Sequence, residues 1–328
     1  MYHSLQIKSI LRGTQLAALA LLAASALVAL PSQAQVKRVA FSDKGDFYEA
    51  ALMSGVRATE AQCNATANSV WAQTKNSGAE CLKYWKGGFD AKPAKRAIVF
   101  FHGDIFVGEG KTGKNYLEES NAHLQKNADS WAKYLGTPYI YFGRPGTHGS
   151  SGDHMQRRRI GESELVSAAM DQLKKRLGVE EWVVAGQSGG GHLTSALITE
   201  RADIICAVPG SAISSPRIRW EMAGRTKDMT NYSDSYEPTQ FIVKANMHPR
   251  LRVFVLGDPK DKNVYWPSQT VMADALQKAK VAVWTLQGEG AGPEMHGLSD
   301  SARIVAGWCA KNMLSRDIVA RAAKGLKG

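Results

Sequence analysis

The run Glu181-Trp182-Val183-Val184-Ala185-Gly186-Gln187-Ser188-Gly189-Gly190-Gly191-His192-Leu193 constrains this chain more than any other segment. In it a short apolar strand runs directly into Gly-x-Ser-x-Gly and then into a helix-like stretch. A serine at so sharp a strand-to-helix turn is forced into strained backbone angles, and Gly186 and Gly190 remove the Cβ atoms that would meet the neighbouring strand and helix. The turn holds the Ser188 hydroxyl clear of the backbone. The N–H groups of Gly189 and its neighbours, opening the helix, direct partial positive charge toward any oxyanion formed there. A phosphate cradle fits less well, since neither Gly-x-x-x-x-Gly-Lys-[Ser/Thr] nor Gly-x-Gly-x-x-Gly occurs at this turn.

Chain order sharpens the reading. Leu251-Arg252-Val253-Phe254-Val255-Leu256 is an apolar, β-branched run that ends in Gly257-Asp258-Pro259-Lys260-Asp261-Lys262-Asn263-Val264. Val281-Ala282-Val283-Trp284-Thr285-Leu286 is a second such run, followed by a Gly-rich loop carrying His296. Acid and base candidates therefore follow the C-terminal ends of strands, the edge at which ligands collect in an open α/β sheet. Serine, then aspartate, then histidine is a chain order that can build a nucleophile with a base and an orienting carboxylate.

These features, with the Phe100-Phe101-His102-Gly103 strand end, Arg144-Pro145-Gly146 and Met295-His296-Gly297, resemble the α/β-hydrolase superfamily. Within it the chain is most similar to secreted bacterial serine esterases and the catalytic domains of prolyl-oligopeptidase-like enzymes, over about Arg96 to Leu314. The resemblance implies a mostly parallel central sheet with helices on both faces and a lid-like insertion before the acid-bearing strand. It also implies Ser188 as nucleophile, His296 as base and later acid, and Asp261 as the carboxylate orienting His296. Asp258 stays as the alternative acid. Asp261 is favoured because Asp-x-x-Val matches the family pattern, whereas Asp258 precedes a proline and suits a turn. The chemistry demands these residue types, because a serine hydroxyl is too weak an acid to attack an acyl carbon unaided at neutral pH.

The oxyanion donors are expected to be the N–H of Gly189 and one from the loop after Ala97–Phe101, on Gly103 or Asp104. Asp104 stands where some lipases have glycine, so its carboxylate must turn away or be bonded in its own loop. His102 is expected to be structural, and His192, one turn after Ser188, to point into packing. The stretch 210–250 holds Trp220, Tyr232 and Tyr236, which are candidates to line a substrate pocket, and Asp228, Asp234 and Glu237, which are either surface charges or receptors for a cationic group.

Lys8 and Arg12, the apolar core from Leu16 to Leu30, and Ser32-Gln33-Ala34 read as a signal peptide over 1–34, leaving a single domain over 35–328 in the periplasm or outside the cell. The apolar stretch is shorter than the ~20 residues of a bilayer span, so no stable membrane anchor is expected. Cys63 and Cys81 are expected to form a disulfide, and Cys206 and Cys309 to act as buried small hydrophobes. No Cys-x-x-Cys and no His-x-x-x-His pair suggests a metal, and the chemistry requires no cofactor. The net charge of +11, falling to +9 when Lys8 and Arg12 leave, is diffuse. The run Arg157-Arg158-Arg159 is read as a solvated loop or helix start, so no nucleic-acid partner is expected. The substrate implied is a small ester or a short peptide. Competing readings are an amidase or peptidase, acyl transfer to an acceptor other than water, and a non-catalytic binding protein on the same fold.

Overall fold

The computed structural model describes residues 38–42, 47, 49–89, 94–105, 112 and 114–328. The expected signal peptide at 1–34 lies outside the described residues. Lys37–Gly328 forms one compact unit.

Its elements, in chain order, begin with β1 (Val39–Ala40), α1 (Glu49–Ser54), β2 (Val56–Arg57), α2 (Glu60–Ala65), β3 (Ser69–Gln73), β4 (Ala79–Gly87) and β5 (Arg96–Phe101). There follow α3 (Lys114–Leu117), α4 (Asn121–Leu135), β6 (Tyr139–Phe142), α5 (Ile160–Leu177), β7 (Glu181–Gln187), α6 (Gly189–Glu200), β8 (Ile204–Gly210) and α7 (Pro216–Met222). The chain closes with β9 (Arg252–Gly257), α8 (Trp266–Lys278), β10 (Ala282–Gln287), α9 (Ser299–Ala310) and α10 (Ser315–Ala322).

Eight strands form one sheet in the order β10-β9-β8-β7-β5-β6-β4-β3. β4 runs antiparallel to β3 and β6, and the remaining neighbours are parallel. The continuous apolar runs of β5, β7 and β8 are what a strand covered on both faces requires, and they occupy the sheet centre. One core packs beneath each face. Val99, Val184 and Val253 point into the first with α5, and Ile98, Val183 and Phe254 into the second with α9.

α3 and α4 are separate helices, because Ser120 caps α4 by accepting from the His123 N–H and so starts a new helix. α4 and α5 end at Gly136 and Gly178, both in the left-handed conformation. Between β8 and β9 lies a mostly irregular connection that holds α7 and two short 3-10 turns.

The expected bridge Cys63–Cys81 is present and joins α2 to β4 in a small satellite core with Phe41, Ala51 and Val56. The expectation for the other two cysteines needs correction. Cys206 and Cys309 are fully buried, but they are bonded to each other. The reason is tertiary: α9 packs across β7 and β8, which sets Cys309 over Cys206 from 103 residues away. Chain-entropy arguments give about 3 kcal/mol for a short loop and about 5 for one near a hundred residues. Replacing both Cys206 and Cys309 by Ala is therefore expected to cost more stability than the same change at Cys63 and Cys81, where the separation is 18 residues. Denaturant titration of the two double variants checks the order.

Candidate active site

Four loops meet at the C-terminal edge of the sheet: those after β5, β7, β9 and β10. Ser188 sits between β7 and α6 with φ 58°, a conformation rarely adopted by residues other than glycine. Its N–H donates to the Gly210 carbonyl at 2.9 Å, and its carbonyl accepts from the His192 N–H at 3.0 Å. The next two positions leave no free space for a side chain. A Cβ on Gly190 would overlap the Phe101 and His102 carbonyls, and one on Gly189 would overlap the Asp104 carboxylate. Gly189 opens α6, so its N–H has no partner within the helix.

Asp261 Oδ2 accepts from His296 Nδ1 at 2.7 Å. With the carboxylate ionised, this bond places the ring proton on Nδ1 and leaves Nε2 as the basic nitrogen. The remaining acceptor capacity of Asp261 is filled by the N–H groups of Asn263 at 2.8 Å and Val264 at 2.9 Å, and by Gln269 Nε2 at 3.1 Å. Asp258 is used differently. It accepts from the Lys260 N–H and from the Gly290 N–H, and so ties the loop after β9 to the one after β10. Ser188 Oγ and His296 are not hydrogen-bonded in this conformation, a separation common before substrate binds. Gln187 links the two loops instead: its Nε2 donates to the His296 carbonyl at 3.1 Å, and its Oε1 accepts from Ser299 Oγ at 2.9 Å.

A Cβ on Gly103 would come into van der Waals contact with the Ser188 Cβ and the Gln187 carbonyl. Asp104 is neither free nor bonded within its own loop. Its carboxylate pairs with Arg144 at 2.9 Å, with Arg157 at 3.2 Å and with Arg158. Burial alone would raise this carboxyl, but the guanidiniums of Arg158, Arg157 and Arg144 outweigh it and hold Asp104 well below the usual carboxylate range. Arg144 also donates to Glu162 at 2.7 Å, while Arg158 forks onto Asp228. Three cations thus meet three anions, with Arg144, Arg158 and Asp228 almost wholly buried. The solvated reading of Arg157 and Arg158 is corrected here, as is the surface reading of Asp228. A charge run tells nothing of its burial when its counter-ions lie 54 and 70 residues away in sequence.

The three candidate pocket aromatics are dispersed. Trp220 is buried in α7. The Tyr232 hydroxyl accepts from Gln156 Nε2, and Arg159 lies over its ring. Tyr236 bonds Thr199 and stacks on Phe241, and both rings line a cavity of about 950 Å³ whose walls include neither Ser188 nor His296. His192 is buried and bonded to the Tyr236 carbonyl, and His102 is buried and bonded to Gly103 and Thr147. The roles of Gln187 and Gln269 escaped the sequence reading, which named Arg144 in a motif and Arg158 in a charge run without giving either a place in an ionic cage. Gln187, the variable residue inside Gly-x-Ser-x-Gly, carried a positional signal, and Gln269 carried none. Among the described residues no cluster of His, Cys, Asp or Glu could hold a metal.

An eight-stranded, mostly parallel sheet with a strained serine after β7, an aspartate after β9 and a histidine after β10 decides the fold. The chain has the α/β-hydrolase fold. Solved structures agree. Est1E from Butyrivibrio proteoclasticus, seen with ferulic acid bound, aligns with 76% of this chain and 99% of its own at 14% identity and a TM-score of 0.51. Acylaminoacyl peptidase from Pyrococcus horikoshii aligns with 76% of this chain at 13% identity and a TM-score of 0.51, and prolyl oligopeptidase B from Galerina marginata with 77% at 16% and 0.51. The chain spans 41% and 36% of the lengths of those two peptidases. No protein-family model and no curated protein matches the chain.

The buried imidazoles make stability depend on pH. Burial holds His102 and His154 well below the ordinary histidine value, His148 down to about 3 and His192 down to about 4. The unfolded chain protonates these groups near pH ~6.5, and the folded protein does not. Below that pH the unfolded state binds more protons, so stability falls with pH. Glu200, raised by burial to about 7, and Glu237, also raised by burial, oppose this because they keep in the fold a proton that the unfolded chain releases. Four imidazoles against two carboxyls leave a net loss on the order of 1–3 kcal/mol per pH unit between about pH 6 and 5. Urea unfolding at the two pH values measures it, and a rise in stability would contradict neutral buried histidines.

Proposed function

We propose that the protein is a secreted serine hydrolase that cleaves carboxylic esters through an acyl-enzyme. The observation that carries this reading is the Asp261–His296 bond at 2.7 Å, set beside a serine held at φ 58°. Ser188 Oγ attacks the ester carbonyl carbon while its proton passes to His296 Nε2, and the alcohol departs with that proton. Water then attacks the acyl-enzyme, returning a proton through His296, and the carboxylic acid leaves with Ser188 restored. The N–H of Gly189 and one from Gly103 or Asp104 serve as the oxyanion donors, with the arginine cage keeping the Asp104 charge neutralised. Asp261 is the orienting carboxylate in this scheme, and Asp258 a loop tie.

The likeness to Est1E, seen with ferulic acid bound, supports the ester reading. Secretion, with removal of residues 1–34, is supported by two disulfides, which suit an oxidising compartment. A fluorophosphonate is expected to add once to the wild type and not to Ser188→Ala, as read by intact mass. The variant is also expected to lose about a million-fold in ester turnover. Labelling or turnover that survives Ser188→Ala would refute the assignment.

A further inference from the structure

α7 carries an arginine that the hydrolytic scheme does not use. Arg219 is held over the loop after β9, where its Nε donates to the Asn263 carbonyl at 3.1 Å and its Nη2 to Asn263 Oδ1 at 2.8 Å. Asn263 is itself fixed at the base of the site. Its N–H donates to Asp261 at 2.8 Å, and its Nδ2 donates to Glu294, on the loop that leads to His296, at 2.8 Å. The helix is fixed as well: Glu237 accepts from Ser215 Oγ and from the Arg217 N–H, and the Ser215 carbonyl accepts from Ser268 Oγ. Arg219 is therefore a positioned side chain and not a loose surface cation.

What sets it apart is its charge balance. Arg144, Arg157 and Arg158, the other arginines buried at this end of the sheet, each reach a carboxylate. Among the described residues none lies within ion-pair distance of Arg219, whose two bonds go to a neutral amide and a carbonyl. Glu294 is spent on the other side of Asn263. Five N–H groups belong to a guanidinium and these bonds use two, which leaves three for another acceptor. Burial pushes the Arg219 guanidinium down, and Arg158 adds to this, while Asp104 and Asp228 act in the opposite sense. The residue is thus close enough to feel the cage around the oxyanion loop, while it is bonded to the loop of Asp261. A half-buried cation at that place, held by one edge, lacks an anion.

We infer that Arg219 is the substrate-selecting residue of this site and that it receives a free carboxylate on the ester. The planar guanidinium fork matches a carboxylate in two-point geometry, and a single unpaired cation balances one negative charge. This rests on the hydrolase reading above. The carboxylate belongs either to the acyl group or to the alcohol, and two matched pairs of esters separate these sources. Mono-4-nitrophenyl glutarate against its methyl ester places the charge on the acyl side. 4-Acetoxybenzoate against its methyl ester places it on the leaving group.

In one of the pairs the wild type is expected to favour the anionic member in kcat/KM by about tenfold to a hundredfold, the range of a charge-assisted bond. Arg219→Met is expected to erase that ratio and Arg219→Lys to keep part of it. Because the readout is a ratio within one protein sample, partial loss of folded variant cancels. Absence of preference in both pairs, or a preference that survives Arg219→Met, overturns the carboxylate assignment while Ser188-dependent hydrolysis stands. Absence of Ser188-dependent hydrolysis of all four esters takes the hydrolase reading down with it.

Discussion

The Asp104 carboxylate is the constraint around which this site is organised. It lies where a side chain of residue 189 would begin, so it abuts the N-terminal turn of α6 and the turn that presents Ser188. An unpaired negative charge there would oppose any anion forming at the serine. Arg144, Arg157 and Arg158 cancel it, and Glu162 and Asp228 in turn balance the surplus cations. Removing one partner from so buried a set leaves an uncompensated charge, which typically costs about 3–5 kcal/mol. The cage thus ties together four regions: the loop after β5, the turn after β6, the start of α5 and the connection between β8 and β9.

The elbow is built on the same economy of space. Gly190 lets α6 begin against the carbonyls of Phe101 and His102, and Gly189 leaves room for Asp104. His154 adds a neutral acceptor for the Ile105 N–H at 3.1 Å, which fixes the loop after β5 without adding charge. Its imidazole can do so because burial keeps it unprotonated. Strain at Ser188 is sustained by its own backbone bonds to Gly210 and His192, so the surroundings over-determine the turn.

What the sequence revealed and what it hid divide along the range of the interactions. The strands, the elbow and the positions of Asp261 and His296 after β9 and β10 are local patterns, legible as apolar runs ending in turn residues. The fold class followed from their order. Asp258 and Asp261 lie three residues apart, and pattern favoured Asp261 without excluding Asp258. The side-chain geometry distinguishes them, since only Asp261 meets the imidazole. The Cys206–Cys309 bridge, the pairing of Arg158 with Asp104 and Asp228, and the scattering of Tyr232 and Tyr236 away from a common wall are products of packing between distant segments. No window of sequence encodes them. Arg219 belongs to the same group: its isolation is visible only once Arg144, Arg157 and Arg158 have found their carboxylates.

The central claim is that Asp261, and not Asp258, orients His296 for proton transfer with Ser188. Steady-state ester hydrolysis by Asp261→Asn and Asp258→Asn, each checked for folded structure, tests it directly. The account predicts a fall in kcat on the order of ten-thousand-fold for Asp261→Asn, because an amide favours the wrong tautomer of the imidazole. It predicts a much smaller loss for Asp258→Asn, whose backbone tie to Gly290 an amide oxygen can still accept. Equal losses, or the larger loss at Asp258, would contradict it.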